Sequence, residues 1–272
     1  MGNAPRGDFG AIVTVDEDAF DVFNMFDAYG LKDRDEAIAR VREAIDAGLI
    51  HPGFGGPAVP EPQAPPPGEP EGVLLAYPNS LRSGILAAVV DVEGKMLLEG
   101  ATVYFSDGVQ HRFRLEGITL SKHRGMGILH GVVGEDLAVS VFEPSFLSDR
   151  QWHGEGSVHE VLLYGIPYRL EIGTPPPLEV PNRFTADGAA TELLYFDEAA
   201  MILPVEDAPP GFYGVLGPVK KVAAYPLEVL GRRVTEITMT VARLGEGEVD
   251  VDIRLFAPDV LMGQGTVPQV GQ

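Results

Sequence analysis

From residue 73 onward the chain is a succession of short apolar runs with period-two character, each closed by turn residues. Successive side chains of a strand point to opposite faces, so such runs build half-buried strands. Residues 85–92 form one run and end at Glu93-Gly94; residues 95–105 form the next and end at Ser106-Asp107-Gly108. Asp-Gly between two such runs signals a hairpin. His111, Phe113, Leu115 and Ile118 continue the meander. Residues 127–133 and 137–142 flank a turn at Gly134-Glu135-Asp136, and residues 158–172 form a long alternating stretch bent at Pro167. Runs at 193–196, 200–203, 229–241 and 249–256 complete the set. Roughly ten to twelve strands without long helical stretches between them predict a mainly β fold, an antiparallel sandwich or barrel.

An internal echo runs through this region. Ile118-Thr119-Leu120-Ser121 is matched by Ile237-Thr238-Met239-Thr240, and Phe142-Glu143-Pro144 by Phe256-Ala257-Pro258. Ala76-Tyr77-Pro78 and Ala224-Tyr225-Pro226 mark the start of each copy. The echo divides the β body, 73–272, into two related units, 73–174 and 175–272.

Ahead of the β body the periodicity changes. In the stretch 16–29, Phe20, Phe23, Met25 and Phe26 fall within two helical turns, behind Asp16, Glu17 and Asp18, which suit a helix N-terminus. A second stretch, 33–49, repeats Ile38, Val41, Ile45 and Leu49 at helical spacing. Residues 1–51 thus read as a two-helix module. Two short amphipathic helices cannot bury their stripes alone and pack on the later domain, on each other or on a partner. The partner reading assigns Phe20, Phe23, Phe26, Ile38, Val41 and Ile45 to the contact. Between module and body, residues 52–72 are rich in proline and glycine and read as a semi-rigid linker.

Composition narrows the function classes. The chain has no cysteine, which excludes disulfides, thiolate metal sites and a cysteine nucleophile. Its net charge is −20, a sign that repels nucleic-acid phosphates and anionic membranes. No apolar run has the length of a membrane span, and residues 1–10 hold no apolar core like that of a signal peptide. The expectation is a protein of the cytoplasm or of a virion-like assembly, bound to neither nucleic acid nor membrane.

Three groups of residues have chemical potential. His111, His123, His130, His153 and His159 are crowded together. His153 and His159 share strand parity near Trp152, Glu155 and Glu160, and are the candidates for a metal, although their spacing matches no metal template. Arg112, Arg114, Lys122 and Arg124 form a basic band that could bind an anion. Lys220 and Lys221 sit among apolar residues, where one ammonium can lose its proton and act as a Schiff-base nucleophile. The segment from Gly217 to Val234 resembles the Pro-Lys-Lys segment of acetoacetate decarboxylase-like proteins. The resemblance implies a Schiff-base lysine and stops at this segment, because the family's other parts are not found.

No phosphate-binding glycine loop and no nucleophile elbow occurs. The function expected is therefore a non-enzymatic structural or assembly protein, forming homo-oligomers or binding a protein partner through its N-terminal arm, with no cofactor. The alternative is a small-molecule binder or a lysine-dependent enzyme on the β body.

Overall fold

The computed structural model describes residues 13–15, 26, 28–29, 34–47, 49–51, 71–77, 82–154, 156–181, 191–196, 199–223, 227–229, 231–245, 249–262 and 268–271. Strands take 55% of the described residues and helices 13%, so the fold is mainly β, as the alternating runs predict. In chain order the strands are β1 (Val13–Val15), β2 (Gly72–Tyr77), β3 (Ser83–Val92), β4 (Lys95–Phe105), β5 (Val109–Leu120), β6 (Gly127–Val133), β7 (Leu137–Glu143) and β8 (Val158–Gly165). They continue with β9 (Leu178–Pro181), β10 (Thr191–Leu194), β11 (Met201–Pro204), β12 (Tyr213–Leu216), β13 (Val219–Val222), β14 (Leu227–Val229), β15 (Arg232–Leu244) and β16 (Val249–Pro258).

The principal sheet has nine strands. Its path is β13-β15-β16-β8-β5-β6-β7, with β14 added to β15 and β1 added in parallel to β5. It curls into a half-barrel around Phe113, Leu115, Ile118, Ile237, Val241 and Leu255. The β11–β12 hairpin lies by the edge strand β7, where the Tyr213 phenol oxygen accepts the Ser140 N–H at 2.6 Å. It also approaches β15. It therefore occupies the gap in the curl.

A second sheet, β2-β3-β4, is buried on both faces. On one side Leu75, Ile85, Ala87, Val103 and Phe105 share a core with Val234 and Phe256 of the large sheet. On the other, Leu74, Leu86, Ala88, Val90 and Tyr104 pack on Met126 and Leu147. The first eight residues of β3 are all buried, which explains why the sequence there is continuously apolar rather than alternating. Phe105 stacks on Phe256 at 3.7 Å between centroids, with Tyr164 edge-on to both, tying the two sheets together.

Turn chemistry behaves as expected at Glu93-Gly94, where both residues have positive φ and Val92 pairs with Lys95. That backbone matches the twist of a two-residue hairpin. The Asp107-Gly108 turn is a correction. It joins no hairpin: β4 pairs with β3, while β5 pairs with β6, β8 and β1. The carboxylate of Asp107 instead takes ion pairs from Arg82, at 3.1 Å, and from Arg254. Both arginines also pair with Glu236, at 3.1 and 3.6 Å. This network pins the crossover from one sheet to the other. A further correction concerns the long run at 158–172: β8 stops at Gly165, ahead of Pro167.

The two expected units are not separate. β8 pairs with β5 on one side and in parallel with β16 on the other, so one sheet crosses the boundary at residue 174. The echo also differs in topology. Phe142 closes the second strand after Ile118, whereas Phe256 closes the first strand after Ile237. Pro78 and 224–226 lie outside the described residues, as do most of the linker (52–70), Phe20 and Phe23.

The arm residues that are described fold back on their own chain. The helix Arg34–Ala47 buries Val41 in the core that also holds Phe26 and Tyr29, with Ile45 packed against it. Arg232 Nε donates to the Tyr29 carbonyl at 3.3 Å. The expectation that Phe26, Val41 and Ile45 face a partner is thereby corrected: their apolar stripe is covered by β2 and β3. Ile38 is half-buried. Among the described residues, no helix is long and apolar enough to cross a membrane.

Candidate functional site

The basic band does not converge. Arg112 and Arg114 are exposed on β5, where Arg114 pairs with Glu116 at 2.8 Å. Lys122 and Arg124 lie in the turn beyond the far end of β5. From Arg114 to Leu120 the strand runs about 20 Å, too far for one small anion to touch both groups.

The lysine pair is engaged. Lys220 Nζ stands 2.8 Å from a carboxylate oxygen of both Asp250 and Asp252. Burial pulls its pKa down, but the hydrogen bonds and charges of the two aspartates outweigh this and raise it. A Schiff-base lysine needs the opposite shift. Lys221 is exposed.

The histidines divide among separate places. His111 Nε2 lies 2.7 Å from the Asp252 carbonyl. His130 sits between Thr119 and Ser140, 2.7 Å from each hydroxyl, and burial lowers its pKa. The backbone N–H of His123 donates to Glu99 at 3.0 Å. Only His153 and His159 meet, with centroids 5.2 Å apart and planes at 68°.

These two belong to a concentration of buried polar groups where the chain passes from β7 to β8. The link consists of a short helix, Phe146–Asp149, and a 3-10 turn, Arg150–Trp152. Phe146 fits against Gly127, where any Cβ would strike its ring. Ser145 is fully buried, and its hydroxyl oxygen is 2.5 Å from both Glu143 Oε1 and Asp149 Oδ2. A hydroxyl has one proton, so it donates to one carboxylate and accepts from the other. Desolvation raises the Glu143 pKa, the Ser145 hydroxyl opposes this, and the Asp149 charge adds to it. Tyr104 and His51 stack edge to face nearby at 5.4 Å, and Ser148 Oγ donates to the His51 carbonyl at 3.3 Å.

His153 is 6% exposed and stacks on Phe146 at 5.7 Å. Neither of its ring nitrogens has a hydrogen-bond partner in the protein. Burial and the neighbouring His159 lower its pKa to about 4. His159 Nε2 is 2.6 Å from Ser157 Oγ, which in turn accepts the Gly154 N–H at 3.2 Å. Among the described residues, no group of three or more His, Cys, Asp or Glu is arranged to hold a metal. The sequence reading flagged His153 and His159 but missed Glu143, Ser145 and Asp149, whose only signal was their closeness along the chain.

A different kind of surface lies at β9 and β10. They form a two-stranded sheet of their own, with Leu178 opposite Leu194 and Glu179 opposite Leu193. Leu178, Leu193 and Leu194 are about half exposed, and the adjacent Tyr195 is 61% exposed. Leu193 and Leu194 face opposite ways, so both faces of the sheet carry exposed leucine.

No family model matches the chain, and no curated protein or solved structure matches it.

Proposed function

We propose that this chain is a non-enzymatic structural protein, a building unit of a larger assembly, and that it contacts a second copy of itself through the β9–β10 hairpin. The observation that carries the reading is the exposure of Leu178, Leu193, Leu194 and Tyr195 on a sheet of only two strands. A two-stranded sheet is marginal in water on its own. Pairing edge to edge with the same hairpin of a second copy gives four strands around a two-fold axis, and brings the exposed leucines of the two copies side by side on each face. Phe26 and Val41 of the arm are buried in the core, which favours the hairpin as the contact. The ion pairs of Lys220 weigh against the lysine-enzyme alternative.

The net charge of −20 opposes association of identical chains, so added salt strengthens the contact. Size-exclusion chromatography with light scattering tests the proposal on the full chain. The expected result is a dimer or larger species, favoured by protein concentration and salt, and a monomer for the double variant Leu178→Glu/Leu194→Glu. A chain that stays monomeric throughout, or a double variant that associates like the parent, overturns it.

A further inference from the structure

His153 is a buried imidazole with two polar nitrogens, and no group among the described residues satisfies either. Buried polar groups are normally hydrogen-bonded, and an exception points to a bound ion or water. We propose that His153 and His159 form a two-imidazole site for a late first-row divalent ion, Cu(II) or Zn(II), completed by water.

The geometry fits that ligand. A ring nitrogen about 2.0–2.1 Å from such an ion puts its ring centroid about 3.2 Å away, and two such rings at a tetrahedral angle have centroids about 5.2 Å apart. The centroids here are 5.2 Å apart. Ser157 engages Nε2 of His159, which leaves Nδ1 to ligate, and a hydrogen bond on the second nitrogen orients a metal-bound imidazole. Phe146, stacked at 10° to the His153 ring, holds the plane of that ligand. The flanking Gly156 and Val158 are exposed, so the pair lies beneath a surface loop rather than deep in the core. With two protein ligands the site is weak and exchangeable, unlike a closed structural zinc site. Imidazole suits copper and zinc, and copper binds tightest of the divalent series.

Titration of the full chain with CuCl2 and with ZnCl2, followed by calorimetry, tests the site. The parent is expected to bind one equivalent. His153→Phe and His159→Phe should each weaken this at least tenfold, and His123→Phe should leave it unchanged. Ser157→Ala should weaken it roughly tenfold through the loss of second-nitrogen support. Circular dichroism confirms that each variant is folded. NMR of the parent with ZnCl2 needs no variant: the His153 and His159 ring signals should shift together, saturating at one equivalent. Binding that survives both phenylalanine substitutions, or zinc shifts confined to other histidines, overturns the proposal.

Discussion

Replacing His153 with phenylalanine gives a measurable change in acid stability. The unfolded imidazole takes up a proton near pH 6.5, whereas the buried one does so only near pH 4. Between these values the unfolded chain binds more protons, so stability is intact above pH 6.5 and lost as the pH falls. Integrating the difference gives a loss on the order of 2–3 kcal/mol at pH 4.5 and almost none at pH 7. Phenylalanine keeps the stack on Phe146 and forfeits no hydrogen bond, since neither nitrogen makes one. At pH 7 the variant should be equal to the parent, or more stable by about 1 kcal/mol. At pH 4.5 its advantage should grow by roughly a further 2–3 kcal/mol. Glu143 works in the opposite sense: its raised pKa means that acid favours the folded state through this group. It is present in both proteins and cancels in the comparison. Urea melts at the two pH values, read at constant m, make the measurement. Parallel losses in parent and variant would show that His153 protonates as easily folded as unfolded, and the burial argument would fall.

Other substitutions probe the packing and the ion network. A Cβ on Gly217 would lie 1.7 Å from the Thr240 carbonyl oxygen, so Gly217→Ala should cost more than about 3 kcal/mol, or prevent folding, by thermal or urea melt. Glu236→Gln leaves Asp107 as the one carboxylate among the described residues shared by Arg82 and Arg254 and should cost about 1 kcal/mol, with a smaller salt dependence of stability than the parent. Ser145→Ala removes the hydroxyl between Glu143 and Asp149 and should cost about 2 kcal/mol by urea melt at pH 7.

The large sheet was legible because its inner face alternates with an outer one. Residues 127–133 and 137–142 emerge as strands with the expected turn at Gly134. What the pattern could not convey is partnership. An Asp-Gly turn looks the same whether its flanks pair with each other or with strands elsewhere, and only the ion pairs of Asp107 with Arg82 and Arg254 reveal the crossover. Likewise a helical stripe such as Val41 and Ile45 has the same spacing whether it packs on its own chain or another. Of the candidate sites, His153 and His159 were visible through shared strand parity, and the structure brings them together. Lys220 misled because its acidic partners, Asp250 and Asp252, are remote in sequence and adjacent only through the β13–β15–β16 pairing. Ser145 had no signal, since its role depends on the turn that folds Asp149 back toward Glu143.

Amide hydrogen exchange of the full chain at low and high protein concentration tests the self-association most directly. The account predicts that the amides of Leu178, Glu179 and Thr191–Leu194 exchange more slowly as concentration rises, while those of buried β3 do not change. Exchange in the hairpin that is independent of concentration would contradict it.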